Sequence, residues 1–248
     1  MDNFGTRRLQ APSFAVFVVA TLALTLAVTP SAVARQRNEA VREALFGDLE
    51  RRFAEAESAE LALLSPKNHE EARKVYDKAL QDYQRGRSLE QIERYVAESA
   101  AYLDAAEASA ATARQLLEEP LAMRSELSSY GVPRDHRELR NAERKLVEAA
   151  RETESGSVPN VRRKSDEAAR EYRKATLKIL KDEWWKQTQT RLRQRRGSVP
   201  QERYRNAETS LKAIEAHLKS LDDKDPFSVG ALLRDTRRDL DAVLAQVS

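Results

Sequence analysis

Three histidines, His69, His136 and His217, are the side chains of this 248-residue chain whose ordinary pKa suits proton transfer near neutral pH. Cysteine is absent, which excludes disulfide frameworks, thiolate metal sites and a cysteine nucleophile. His69 and His136 each stand three residues after a proline, Pro66 and Pro133, and the same place after Pro200 holds Arg203. Metal binding and general-base chemistry need partners that converge on one point. Two histidines at equivalent helix starts, 67 residues apart, have no reason to meet, so they are expected as polar residues in exposed first turns.

Carboxylates are plentiful, as in Glu70-Glu71, Glu118-Glu119 and Asp222-Asp223, but a pair works as acid and base only where surroundings separate the two pKa values. Most here lie near Arg or Lys on a helical repeat, Glu138 with Arg140 and Arg144 for example, which describes a solvated salt-bridge face. The aspartates of 222–225 lack the ligand alternation and terminal Glu of a calcium loop. Gly-rich phosphate loops, G-x-S-x-G and H-E-x-x-H do not occur. No catalytic residue, metal ligand or cofactor is therefore assigned, and the chain is expected not to be an enzyme.

One constellation has binding chemistry. Residues 161–197 hold thirteen Lys or Arg against five Asp or Glu, whereas 35–130 hold fourteen against nineteen. Inside the basic stretch lie both tryptophans, Trp184 and Trp185, followed by Arg191, Arg193, Arg195 and Arg196. Arginine beside an aromatic suits anionic ligands or a membrane interface. The alternative is structural: one tryptophan fills a helix seam while the basic face pairs with the acidic first part of the chain.

The elements that must position these residues are helices. Charged residues make up 33% of the chain, glycine occurs only 7 times, and Ala, Glu, Arg, Lys and Leu dominate. Pro66, Pro133 and Pro200 recur at intervals of 67 residues, each placed to open a helix. Apolar stripes at spacings of three and four follow: Ala72, Val75, Tyr76, Ala79, Leu80 and Tyr83; then Ala142, Leu146, Ala149 and Ala150; then Ala207, Leu211, Ile214, Leu218 and Leu221. Gly86 and Gly156 end the first two stripes, each fourteen residues after its leading alanine. Tyr102 and Ala105 lie as far beyond Gly86 as Tyr172 and Ala175 lie beyond Gly156. A seam from Leu89 through Ile92, Val96, Ser99 and Leu103 to Leu117 predicts close, coiled-coil-like packing, with Pro120 interrupting the helix.

The expected fold is all-α: an elongated array of a lead helix and three antiparallel hairpins, in units of about 66–130, 133–197 and 200–248. Helices are predicted near 36–63, 67–85, 88–129, 134–154, 158–195, 200–221 and 227–246. A tetratricopeptide array fits less well, because its short paired helices repeat every 34 residues.

Residues 1–34 read as an export signal: Arg7 and Arg8, the apolar stretch 14–28, then Pro30 and the small-residue pattern Ala32-Val33-Ala34. The alternative is an uncleaved inner-membrane anchor; both send the remainder into the periplasm. Cleavage after Ala34 leaves 41 basic and 39 acidic residues, a balance that does not point to nucleic acid.

The stretch Ala59 to Pro66 (AELALLSP), with Ala72 to Ala79 (ARKVYDKA) after it, resembles the Ala/Glu/Lys-rich helical region of envelope proteins of Gram-negative bacteria. That region occurs in small lipoproteins and ahead of OmpA-like peptidoglycan-binding domains. The chain has neither a lipobox cysteine nor an OmpA-like domain, so direct peptidoglycan binding is not carried over. The resemblance implies a structural or interaction role in the envelope, with envelope proteins as partners and the oligomeric state open. The second functional reading is binding of phospholipid headgroups, lipopolysaccharide or peptidoglycan through the 161–197 helix.

Overall fold

The computed structural model describes residues 30–248, with side chains from residue 39 onward; the expected export segment up to residue 29 lies outside the described residues. Every regular element among the described residues is helical. They are α1 (Pro30–Ser58), α2 (Leu61–Leu64), α3 (Pro66–Gln84), α4 (Leu89–Leu116), α5 (Glu118–Ser129), α6 (Arg140–Ser155) and α7 (Val158–Ile179). A π-helical turn (Leu180–Trp185) joins α7 to α8 (Lys186–Gln194), and α9 (Gln201–Ser220) and α10 (Val229–Ala245) complete the chain. None of the helices among the described residues is long and apolar enough to cross a membrane. Contacts divide the chain into Met1–Arg42, of which the described backbone is the start of α1, and Glu43–Ser248, whose packing follows.

Alanine sets the closeness of the first hairpin. Ala72 and Ala79 on α3 and Ala106, Ala110 and Ala113 on α4 are fully buried. Side chains this small let backbones approach, so that the Ser99 hydroxyl donates across the seam to the Ala72 carbonyl at 2.7 Å. The residues 43–58 of α1 lie on this pair through large rings instead. Phe46 meets Tyr76 and Tyr83 edge-on at 5.9 and 5.6 Å, and Phe53 meets Tyr76 at 5.3 Å. Edge-to-face rings add about 0.5–1.5 kcal/mol each beyond the area they bury.

The lead helix ends earlier than its expected boundary at 63. Pro66 disfavours helical backbone at Ser65, which takes φ −145°, and Glu60 turns left-handed at φ 56°. Arg114 of α4 donates to the carbonyl of Ala59 at 2.8 Å and Glu154 of α6 accepts from the backbone N–H of Asn68 at 2.8 Å, so both ends of this break are capped by other helices. Pro120 interrupts the next helix as expected; the break falls at Leu117, because the proline ring leaves no N–H for the carbonyl one turn earlier.

Pro133 does not open a helix. Residues 133–139 form turns and α6 starts at Arg140, whereas Pro66 is the first residue of α3. The leading alanine therefore comes nine residues after Pro133 but six after Pro66, an insertion of three. Gly86 and Gly156 do take positive φ, 65° and 77°, at the hairpin turns.

The expected equivalence of Tyr102 and Ala105 with Tyr172 and Ala175 fails by one residue. Tyr172 and Ala175 are buried, while Ala105 is exposed and Tyr102 half-buried. The buried partners in α4 are Leu103 and Ala106, because α7 starts two residues after Gly156 and α4 starts three after Gly86. Leu89, at the head of the predicted seam, is 52% exposed.

The second hairpin, α6 with α7, is equally tight, and α5 packs on α7. A continuous core runs from Phe46 through both hairpins to Leu218, Val229 and Leu233. Leu192, Ala207, Leu211, Leu240, Val243 and Val247 form a second, much smaller cluster between α8, α9 and α10.

Candidate binding surface

The basic stretch is positioned by a helix that changes pitch. Tyr172, Thr176 and Leu180 are buried, Trp184 half-buried, and Thr188 and Leu192 buried again. Four residues overshoot an α-helical turn by about 40°, so a stripe at that spacing would wind off its own face. The π-helical turn Leu180–Trp185 has the wider winding that absorbs the excess and carries the stripe from the large core to the small cluster. Trp184 packs against both clusters, its ring 6.3 Å from that of Tyr130. Trp185 is held differently, its indole N–H donating to the Leu211 carbonyl at 3.1 Å.

The charges then sort into two groups. Five of the seven cations of α7 are engaged, and Arg162 and Arg170 are exposed without a carboxylate in ion-pair range among the described residues. Lys164 reaches Glu148 at 3.0 Å, Lys178 reaches Glu138 at 2.6 Å, Arg163 pairs with Glu167, and Arg173 pairs with Glu119 of α5. The pairing with the acidic first part of the chain is thus limited to Arg173; most partners of α7 lie on α6, its connection or α7 itself. Glu148 accepts from both Lys164 and Lys145, and those hydrogen bonds outweigh burial to bring its carboxyl down to about 2. Glu138 pairs with Lys178 and Arg137. Its expected neighbour Arg144 turns instead to Glu148.

Beyond the π turn the pattern stops. Arg191, Arg193, Arg195 and Arg196 are exposed and, among the described residues, none has a carboxylate within ion-pair distance. Across Gly197, whose φ is 95°, the exposed Arg203 and Arg205 of α9 continue the surface. Residues 186–205 hold seven basic side chains and one acidic one. The six residues singled out from sequence are therefore not one site. Arg193, Arg195 and Arg196 form the end of α8, Trp185 is half-buried against the small cluster, and Trp184 and Arg191 line a cleft against α10. Sequence reasoning missed Arg203, Arg205 and the cleft residue Arg237; the Arg203–Arg205 spacing across the turn was the available signal.

His217 of α9 is exposed, whereas His69 and His136, expected in exposed first turns, are half-buried. His69 is half-buried, edge-on to Phe53 at 6.1 Å, and burial, then the nearby Arg73, holds its imidazole below its ordinary pKa. His136 lies in the 133–139 turn, accepting from the Glu138 backbone N–H at 3.2 Å and facing Glu183 of the π turn at 2.9 Å. No group of three His, Asp or Glu side chains is placed to hold a metal ion among the described residues.

A part-buried charge network ties the break at Glu60 and α5 to the second hairpin. Arg124 of α5, only 11% exposed, reaches Glu60 and Glu143, each at 3.0 Å, and Arg134 also pairs with Glu60. Burial alone would raise the Glu60 carboxyl, but Arg124 and Arg134 outweigh it and keep it below its ordinary range. The Tyr172 hydroxyl donates to Glu143 at 2.8 Å, and burial beside that carboxylate raises the phenol.

Compared with known proteins, the chain matches no family, no curated protein and no solved structure.

Proposed function

We propose that the chain is a non-catalytic helical scaffold of the cell envelope, exported by its N-terminal segment, that holds anionic envelope material and its protein partners at the α8–α9 end. The observation that carries this reading is the sorting of charge. Five of the seven cations along α7 are matched by carboxylates, while all six arginines around Gly197 stand exposed and unmatched among the described residues. Concentrated positive charge costs self-repulsion, and an anionic surface offsets that cost. Phospholipid headgroups are the material this surface suits best, since exposed guanidiniums are donors that match phosphate oxygens.

Co-sedimentation with vesicles tests it. The full chain should bind phosphatidylglycerol-containing vesicles and not phosphatidylcholine ones, with binding that weakens steeply between low and physiological salt. Each basic residue near such a surface contributes about 1 kcal/mol. Reversing Arg193, Arg195 and Arg196 to Glu together should therefore weaken binding by about 100-fold or more. Retention that ignores salt and the triple reversal would sink the reading.

A further inference from the structure

A second site lies beside that surface. On the α8 side Trp184, Thr188 and Arg191 follow one another at helical spacing, and on α10 Arg237, Leu240 and Leu244 do the same. The two faces line an open cleft of about 200 Å³, with Tyr130 also in its wall. Its walls differ in kind. Trp184 presents a ring, and Leu240 and Leu244 an apolar floor, while the Arg237 guanidinium stands 5.8 Å from the centre of the Trp184 ring. Arg191 and Arg237 both lack a carboxylate partner among the described residues, although Arg238 next to Arg237 pairs with Asp235 and Asp239. Asp241 lines the cleft as well, so two positive groups face one negative group.

We propose that this cleft binds a carboxylate carried on a single apolar ring or short alkyl body. The volume sets the body: a cavity of about 150 Å³ accommodates one benzene ring, and ligand pockets for drug-sized molecules begin near 300 Å³. The charge sets the sign, and the two guanidiniums provide planar donors that match a carboxylate better than a hydroxyl. The π turn is what makes the site. It brings Trp184 round to α10 while Trp185, one residue on, is tied to Leu211 on α9. Two sources present this chemistry, a free aryl or alkyl carboxylate and the C-terminal residue of a peptide.

Trp184 reports on its own site. Titration of the full chain with 3-phenylpropionate, followed by tryptophan fluorescence and by calorimetry, should give saturable binding, with 3-phenylpropanol at least tenfold weaker. Acetyl-Gly-Ser-Ala-Phe with a free carboxylate, set against its C-terminal amide, separates the sources. Tighter binding of the free-acid peptide than of 3-phenylpropionate assigns the site to chain termini, and the reverse order assigns it to small carboxylates. Arg237→Gln should weaken the acid about tenfold or more and leave the alcohol unchanged. Reversal of Arg193, Arg195 and Arg196, which abolishes the proposed vesicle binding, should alter the acid's affinity less than twofold. The inference is overturned if neither acid binds saturably, if alcohol or amide binds as well as acid, or if the triple reversal removes binding as Arg237→Gln does.

Discussion

α7 and α8 are one basic run in composition, yet they use their charge in opposite ways. Lys164 and Arg173 are committed to carboxylates on neighbouring helices and Lys178 to one in the 133–139 turn, whereas Arg191, Arg193, Arg195 and Arg196 are exposed. The difference lies in what packs beside each. α6 presents Glu143 and Glu148 toward α7, and α5 presents Glu119. The end of α8 runs past its neighbours' carboxylates to a glycine turn, with only a small apolar cluster beneath it. Most of the charge on α7 is therefore part of the fold, and the charge at the end of α8 is available for something else.

The largest effect that would break this comparison is expected in the paired region. Arg124→Met keeps the side-chain volume but leaves Glu60 and Glu143 without their shared guanidinium, in a site where Arg124 is 11% exposed. Removing one partner of a buried pair costs about 3 kcal/mol or more, which lowers the thermal midpoint of a chain this size by roughly 6–12 °C. The Arg193, Arg195 and Arg196 reversal should move the midpoint by no more than about 3–6 °C, since exposed substitutions stay within about 0.5 kcal/mol each. Thermal melts followed by circular dichroism decide the matter: equal losses in the two variants would mean that the tip is structural after all.

Much of this was legible in the chain. Stripes such as Ala142, Leu146, Ala149 and Ala150 are fully buried, because a three–four spacing leaves a helix only one face to bury. Pro133 misled because proline suits a turn as well as a first helical position, and the three extra residues before Ala142 were the only sign of which it was. The one-residue offset of α7 was masked by alanine, which fits either face of a helix at little cost. The π turn was not legible, since the sequence predicts a single helix over 158–195. Only the choice of partner helix decides that Trp185 is tied to Leu211 while Trp184 lines a cleft. Ion pairing was least legible, since it depends on which carboxylates another helix brings near.

A smaller effect sharpens the comparison at the seam where the small cluster joins the large one. Glu126 of α5 accepts from the Gly230 backbone N–H at 2.7 Å, capping α10 from another helix. A Cβ at Gly230 would come within 2.5 Å of a Glu126 carboxylate oxygen, so Gly230→Ala must displace the cap. Glu126→Ala and Gly230→Ala should each cost about 1 kcal/mol, and the double variant little more than either. Hydrogen exchange should localise the loss to α10, with α3 and α4 unchanged; additive losses would mean that the contact is incidental.

The smallest effect is a difference in response to acid. Lys164 and Lys145 hold the Glu148 carboxyl down at about 2, and Glu60, Glu138 and Glu167 are also held below their ordinary range. A carboxylate whose folded pKa is depressed binds protons more readily in the unfolded chain. Its contribution is fully present above the ordinary value near 4.5 and is lost progressively as the pH falls from there toward 2. Glu148→Gln should accordingly lower the thermal midpoint modestly at pH 7 and flatten its fall between pH 5 and 3. The α8 end has no carboxylate partner to titrate among the described residues, so the reversal of Arg193, Arg195 and Arg196 should leave that slope as it is in the unaltered chain. Parallel acid slopes for Glu148→Gln and the unaltered chain would mean that α7 is held by its apolar seam alone, and the contrast between its charges and those of α8 would then concern exposure and not stability.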